Sequence, residues 1–300
     1  MEFPIWLAFA LVSPAFWAIV HVLDSYCVDK VFDRPWIGVI TSGATILFAL
    51  PLLSIGLAFT PVASMSATTI GMCVLCGFAF MASQLCYFQA LSVTEAGIVA
   101  AYWNFIPLFL PISSFVLHGE VLSGEKYLGA GILTATSVAF CLLDGNLGSR
   151  WSSFWLMFSG AWLQVAYFLV EKQVFAVCPV YRAFLVITLS MGVAGISPLL
   201  IRRYRQVFRG NWPRIRPALR FLCVIEIANL IAIGTSQCAV NFGTPSLVSA
   251  VEASIPAYTF LLSLVLYVAI RKFGKEEARH RLPAKFILVA AMVFGVFLLS

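Results

Sequence analysis

From Trp36 to Thr94 the chain runs without a single Asp, Glu, Lys or Arg. No water-facing surface can be built from such a stretch, because roughly a quarter of the residues of a soluble domain are charged. It is long enough for two membrane spans of about 20 residues each, meeting around Thr60–Ser66. Similar runs cover Phe3–Leu23, Ala96–Gly119, Tyr127–Leu143, Trp151–Val170, Ala183–Ile201, Phe221–Val240, Ser246–Ile270 and Phe286–Ser300, broken only by Glu226 and Glu252. The whole chain is 61% hydrophobic and 11% charged. That balance excludes a soluble enzyme, a disordered chain and a nucleic-acid module. A β-barrel would alternate apolar and polar residues over about ten positions, and these runs do not alternate. The expected fold is an all-α integral membrane protein of ten transmembrane helices. Met1-Glu2-Phe3 lacks the basic start of a cleavable signal, so the first helix is expected to remain as a span.

Basic residues set the orientation. Lys30, Arg34, Arg150, the seven arginines from Arg202 to Arg220, and Arg271, Lys272, Lys275, Arg279, Arg281 and Lys285 all fall after odd-numbered helices; Lys126, Lys172 and Arg182 fall on the other side. With ten spans, both termini face away from the cytoplasm. The Arg202–Arg220 segment, read as a loop, holds no acid and is expected on anionic lipid headgroups rather than on nucleic acid.

The two halves overlay at a shift of 149. Ala90, Val99, Ala101, Ile106, Pro107 and Ser114 meet Ala239, Val248, Ala250, Ile255, Pro256 and Ser263; past a longer charged loop in the second half the shift becomes 156, and Ala135, Leu142 and Leu143 meet Ala291, Leu298 and Leu299. This reads as two five-helix repeats, residues 1–147 and 148–300. An odd number of helices turns the second copy upside down, and inverted repeats place a substrate site at their interface near the bilayer midplane.

The run Ala90-Leu91, Ile106-Pro107, Gly119-Glu120-Val121-Leu122-Ser123 and Leu128-Gly129 resembles the EamA-type drug/metabolite transporter pattern, in which a helix with a central Pro ends in a Gly-Glu turn. Ser13-Pro14-Ala15-Phe16-Trp17-Ala18 followed by Asp24 is similar to that group's first helix. The resemblance covers nearly all of the chain. It implies a ten-helix carrier with alternating access, often an exporter of small metabolites, of the bacterial cytoplasmic membrane. In the second half Arg271–Arg281 stands in place of the Gly-Glu turn. The resemblance also implies cytoplasmic termini; the distribution of basic residues gives the opposite side.

Ionisable groups inside a span face a cavity or a partner. Glu226, Asn229 and Gln237 share one face of helix 8. Pro245, Ser249, Glu252 and Pro256 share a face of helix 9, and the two faces are expected to look at each other across a cavity. Glu252 is the expected proton-coupling group, with Pro107 and Pro256 as hinges. Helix 1 offers Ser13, Trp17, His21 and Asp24; helix 3, Gln84 and Tyr87; helix 4, Tyr102, Trp103 and Asn104; helix 6, Gln164, Tyr167 and Glu171. The expected lining of the substrate cavity is Trp17, His21, Asp24, Gln84, Tyr87, Trp103, Gln164, Tyr167, Glu226, Asn229, Gln237, Ser249 and Glu252. Trp103 is the repeat-mate of Glu252. Aromatic walls with a few polar groups suit an amphipathic organic solute.

No cofactor and no metal are expected. The Cys73/Cys76 pair lies within a span with no second pair, and reads as packing. No GxxxxGK[ST] loop marks an ATP-driven pump, and no TVGYG-like filter marks a channel. The alternatives are a lipid-modifying transferase, for which Asp29 and Asp33 lack a second acidic cluster besides Glu276-Glu277, and a scaffold without a cavity. The residues carry no reading of oligomeric state.

Overall fold

The computed structural model describes residues 4–60, 64–94, 99, 102–144, 151–269 and 281–300. The boundary between the two expected repeats, the pair Glu276-Glu277, and the basic residues Arg150, Arg271, Lys272, Lys275 and Arg279 lie outside these residues. All regular elements among them are helical: α1 (Ile5–Lys30), α2 (Trp36–Ser54), α3 (Ala67–Leu91), α4 (Phe105–His118), α5 (Gly124–Asp144), α6 (Trp151–Val177), α7 (Val180–Ile196), α8 (Arg202–Phe242), α9 (Pro245–Glu252), α10 (Ile255–Ala269) and α11 (Leu282–Leu299), with 3-10 turns after α2 and α7. Helices follow from the bilayer as solvent, since each backbone N–H and C=O must be satisfied within its own segment. Seven segments among the described residues are long and apolar enough to cross a membrane: α1, α2, α3, α6, α7, α8 and α11, with α2 and α7 counted together with their 3-10 turns. Large apolar side chains such as Phe48, Phe59, Val116, Ile287 and Phe297 point outward. That surface suits lipid, and the protein is an integral membrane protein.

Two expected features are corrected. The Arg202–Arg220 segment is not a loop. It is the first half of α8, a continuous 41-residue helix of roughly 60 Å at 1.5 Å per residue, about twice the hydrocarbon thickness. Its Asn211 Nδ2 donates to the carbonyl of Val31 at 3.2 Å, and Arg214 pairs with Asp33. These contacts dock the extension on the connection between α1 and α2. The helix continues through Pro213 and Pro217, whose missing N–H groups leave only the carbonyls of Arg209 and Pro213 without their usual donors.

The run Ser246–Ile270 is not one helix either. α9 ends at Glu252, Ala253 and Ser254 form a turn, and α10 starts at Ile255. Pro256 is the cause, because a proline has no N–H for the carbonyl four residues back and its ring crowds that carbonyl. The carbonyl in question is that of Glu252. The chain turns through Ser254 N–H to Val251 O (2.9 Å) and Ala257 N–H to Ser254 O (2.9 Å) instead. In the first half Trp103 and Asn104 form a turn immediately before α4, and Pro107 lies in that helix's first turn.

α4 stops at Gly119, whose φ of 66° puts it in the left-handed region that glycine enters without steric cost. Gly119 N–H bonds to Phe115 O (2.9 Å), the 5→1 bond of an αL stop, and Glu120 N–H reaches Ser114 O (3.4 Å). This turn carries Glu120 to Ser114 and to the hydroxyl of Ser246 at the start of α9 (3.2 Å).

The most extensive packing joins α3 to α6, α1 to α8, α5 to α11, and α2 to α7. α2 and α7 cross where Gly43 meets Gly195: a Cβ on either would lie 2.7 Å from the other's Cα, too close for any side chain. Trp6 packs on Gly243 and Phe9 stacks on Phe242, so the start of α1 lies by the end of α8. Lys172 on α6 holds that end of α8, donating to the carbonyls of Val240 (2.8 Å), Asn241 (3.3 Å) and Gly243 (2.7 Å).

Candidate functional site

Inside the bundle, rings from α1, α3 and α6 and from the turn before α4 form a continuous chain. Trp103 lies 5.9 Å from Tyr87, Tyr87 5.4 Å from His21, His21 6.3 Å from Trp17, Trp17 6.3 Å from Phe80, and Phe80 5.6 Å from Tyr167, between ring centroids. Each helix contributes because its polar or aromatic positions recur at helical spacing on the face turned inward. Two cavities adjoin this chain and share Trp17, His21 and Gln84 in their walls.

The main cavity, open on one side, spans about 770 Å³ of space not filled by protein atoms, its open mouth included. It gathers Trp17, His21, Gln84, Trp103, Gln164, Tyr167, Ser249 and Glu252 from the expected set, together with Pro107 and Pro256. Glu252 sits at the broken end of α9, and its Oε1 accepts a hydrogen bond from Ser13 Oγ at 2.9 Å; Ser236 of α8 is its other hydroxyl neighbour. Gln164 Nε2 donates to Ser83 Oγ at 2.7 Å, tying α6 to α3. Ser249 turns its hydroxyl back to Ser246 O at 3.0 Å. Much of the remaining wall is apolar, from Phe80, Ile106, Phe168, Ile233 and Ile255. Such a chamber can hold an organic solute while one carboxyl and a few amides and hydroxyls fix its polar end.

The second cavity, about 520 Å³, takes Asp24, Tyr87, Glu226 and Asn229. The expectation that the Glu226 and Glu252 faces oppose each other across one cavity is therefore corrected. Glu226 looks at α2: its Oε2 accepts from Ser42 Oγ (2.8 Å) and Thr45 Oγ1 (3.2 Å), and its Oε1 from Asn229 Nδ2 (2.8 Å). The spacing that put Glu226 on a polar face did not say which neighbour that face meets. Ser42 and Thr45, three residues apart on α2, were the missed signal. Gln237 lines neither cavity. It is fully buried, and its Nε2 donates to Tyr167 Oη at 2.9 Å. Glu171, on the same face of α6 as Gln164 and Tyr167, is fully buried outside the main cavity's lining, beside Tyr167 and Gln237.

Two other sequence features fall into place. Cys73 and Cys76 are buried in the core of α3, with Cys76 Sγ 3.8 Å from Tyr167 O. Asp33 is paired with Arg214, which occupies one of the two acids a transferase reading would need.

No curated protein sequence matches the chain. A crystal structure of another protein is similar, with a TM-score of 0.70 over 97% of this chain and 97% of that chain at 16% identity, a likeness of fold alone. The EamA-like transporter family model matches residues 4–142, from the start of α1 through nearly all of α5, and this places the chain in the drug/metabolite transporter superfamily, whose members move small molecules across membranes.

Proposed function

We propose that the protein is a secondary transporter of small organic metabolites, working as an exporter by alternating access and coupled to protons through Glu252. The observation that carries this reading is the position of Glu252. It is a carboxyl inside a membrane bundle, held by hydroxyls, facing a largely apolar chamber at the point where α9 breaks. A group so placed can exchange a proton with whichever side the chamber opens to, and the turn beside it gives the flanking half-helices a place to move. The solute would lie among Trp17, Trp103, Gln164, Tyr167 and Ser249, with Gln84 and His21 shared with the second cavity.

The scaffold for this movement is read as ten spans in two inverted repeats, residues 1–147 and 148–300. The pairings support it. Exchanging the halves turns α1 against α8 into α6 against α3, and carries α2 against α7 and α5 against α11 onto themselves. Both self-paired crossings also bring glycines together, Gly43 with Gly195 and Gly129 with Gly295. Trp103 and Glu252 occupy equivalent positions in the two halves and line the same chamber. The arginine-bearing half of α8 is taken to lie on anionic headgroups of a bacterial cytoplasmic membrane.

The test is solute counterflow in proteoliposomes, screening amino acids, sugars and cationic drugs with and without a pH gradient. Saturable counterflow without chemical change, stimulated by the gradient in wild type and not in Glu252→Gln, is the expected result. Absence of counterflow for every solute class would overturn transport. A gradient response that survives in Glu252→Gln would overturn the coupling role alone.

A further inference from the structure

The main cavity and its glutamate account for a solute chamber, but not for the second cavity, which has a different chemistry. Asp24 and Glu226 both line it, and no Lys or Arg does. Glu226 is fixed by Ser42, Thr45 and Asn229. Asp24 is 6% exposed and has no hydrogen bond or ion pair among the described residues. Two acids in one poorly solvated space repel each other unless one takes up a proton or a positive charge comes between them. A second observation points the same way. Tyr87 is 97% buried in the same wall as Asp24, and its hydroxyl oxygen has no partner among the described residues. A buried hydroxyl left without a bond costs free energy that a bound donor would return.

The other walls select the kind of cation. Trp17, Phe32, Tyr87 and Phe88 surround the acids with aromatic rings, which attract organic cations through their faces. Ca²⁺ or Mg²⁺ would need about six or more oxygen ligands, and the described residues bring no three His, Cys, Asp or Glu together as a metal set. We propose that the second cavity is a binding site for an organic ammonium ion, with Asp24 and Glu226 as its counter-ions and the Tyr87 hydroxyl as an acceptor for one of its N–H groups. This goes beyond the transport reading, since binding is measurable in purified protein whether or not it carries anything.

The test titrates the full-length protein in detergent with 2-phenylethylammonium and with 2-phenylethanol, which matches its shape without the charge, following tryptophan fluorescence and thermal unfolding. Wild type is expected to bind the ammonium at least about tenfold more tightly than the alcohol, the effect of a charge-assisted hydrogen bond. Asp24→Asn and Glu226→Gln should each bring that preference below about twofold, while the exposed Glu125→Gln leaves it unchanged. If the first two variants do not fold, Tyr87→Phe keeps the ring and should weaken the ammonium several-fold without changing the alcohol. Equal affinity for the two probes in wild type overturns the proposal. Sodium chloride reproducing the whole response of the ammonium salt overturns it in favour of an inorganic ion. An ammonium preference that survives in Asp24→Asn but disappears in Glu252→Gln overturns it by placing the cation in the main cavity.

Discussion

Glu252 and Glu226 are both carboxyl groups inside helices of a membrane bundle, yet their surroundings give them different work. Glu226 accepts three hydrogen bonds from Ser42, Thr45 and Asn229 and so locks α2 against α8. Glu252 is held from α1 by Ser13 and opens onto the main chamber. Removing a hydroxyl from the Glu226 set should therefore be felt as stability. Ser42→Ala and Thr45→Ala are each expected to cost about 1 kcal/mol, read as a lower unfolding midpoint, with solute counterflow retained; loss of counterflow without loss of stability would show that this cluster acts in transport instead. Glu252 was legible because charge is so scarce in this sequence that an acid in mid-span stands out. The role of Glu226 was half legible. Helical spacing gives the face a side chain shares, but its neighbour depends on packing between distant helices. The same limit explains Gln237, which spends its amide on Tyr167 behind the chamber wall.

At the scale of elements, hydropathy located the helices well, because long uncharged runs leave the backbone few alternatives in lipid. It located their interruptions poorly. Pro256 was visible as a helix breaker, but the place where the helix gives way, Ala253–Ser254, depends on the turn bonds from Ser254 to Val251 and from Ala257 to Ser254. Pro256→Ala restores an N–H that can bond to the freed carbonyl of Glu252. The expected outcome is a continuous helix across the break, with counterflow slowed several-fold and the unfolding midpoint unchanged or raised; wild-type counterflow would show that the break has no part in the cycle. Gly119 is the converse case, a motif whose purpose the structure explains. At φ 66° an alanine is strained by about 1 kcal/mol, so Gly119→Ala should lower the unfolding midpoint. Because the same turn carries Glu120 to Ser246, the start of α9 should also lose protection in hydrogen exchange, and unchanged protection there would separate the turn from the site.

For the whole molecule, sidedness is where two lines of sequence reasoning disagreed: the basic residues put the termini outside the cytoplasm and the family resemblance put them inside. Contacts between distant helices bear on this. The arginine-bearing half of α8 packs on the connection between α1 and α2 through Asn211 and Arg214, so Lys30, Arg34 and those arginines share one end. The start of α1 lies at the other end, against Phe242 and Gly243. The end of α11 joins it there, since Gly295 and Leu298 pack on Gly129 near the start of α5, a few residues after Glu120 reaches Ser246. Both helix ends thus lie opposite the basic cluster, and the preference of Lys and Arg for the cytoplasmic side is the ground for expecting them outside. The repeat could not settle this from sequence, because an inverted pair of five-helix units looks alike from either face of the membrane. A phosphatase active only outside the cytoplasm, fused after Ser300, is expected to be active, and a fluorescent protein that matures only in the cytoplasm, fused at the same point, dark. Replacing the arginines at 202, 203, 205 and 209 by glutamine should weaken that bias and give a mixed signal. A dark phosphatase and a bright fluorescent fusion in the unaltered chain would mean that the basic half of α8 lies outside, where neither the positive-inside preference nor anionic inner-leaflet lipid could be what holds it.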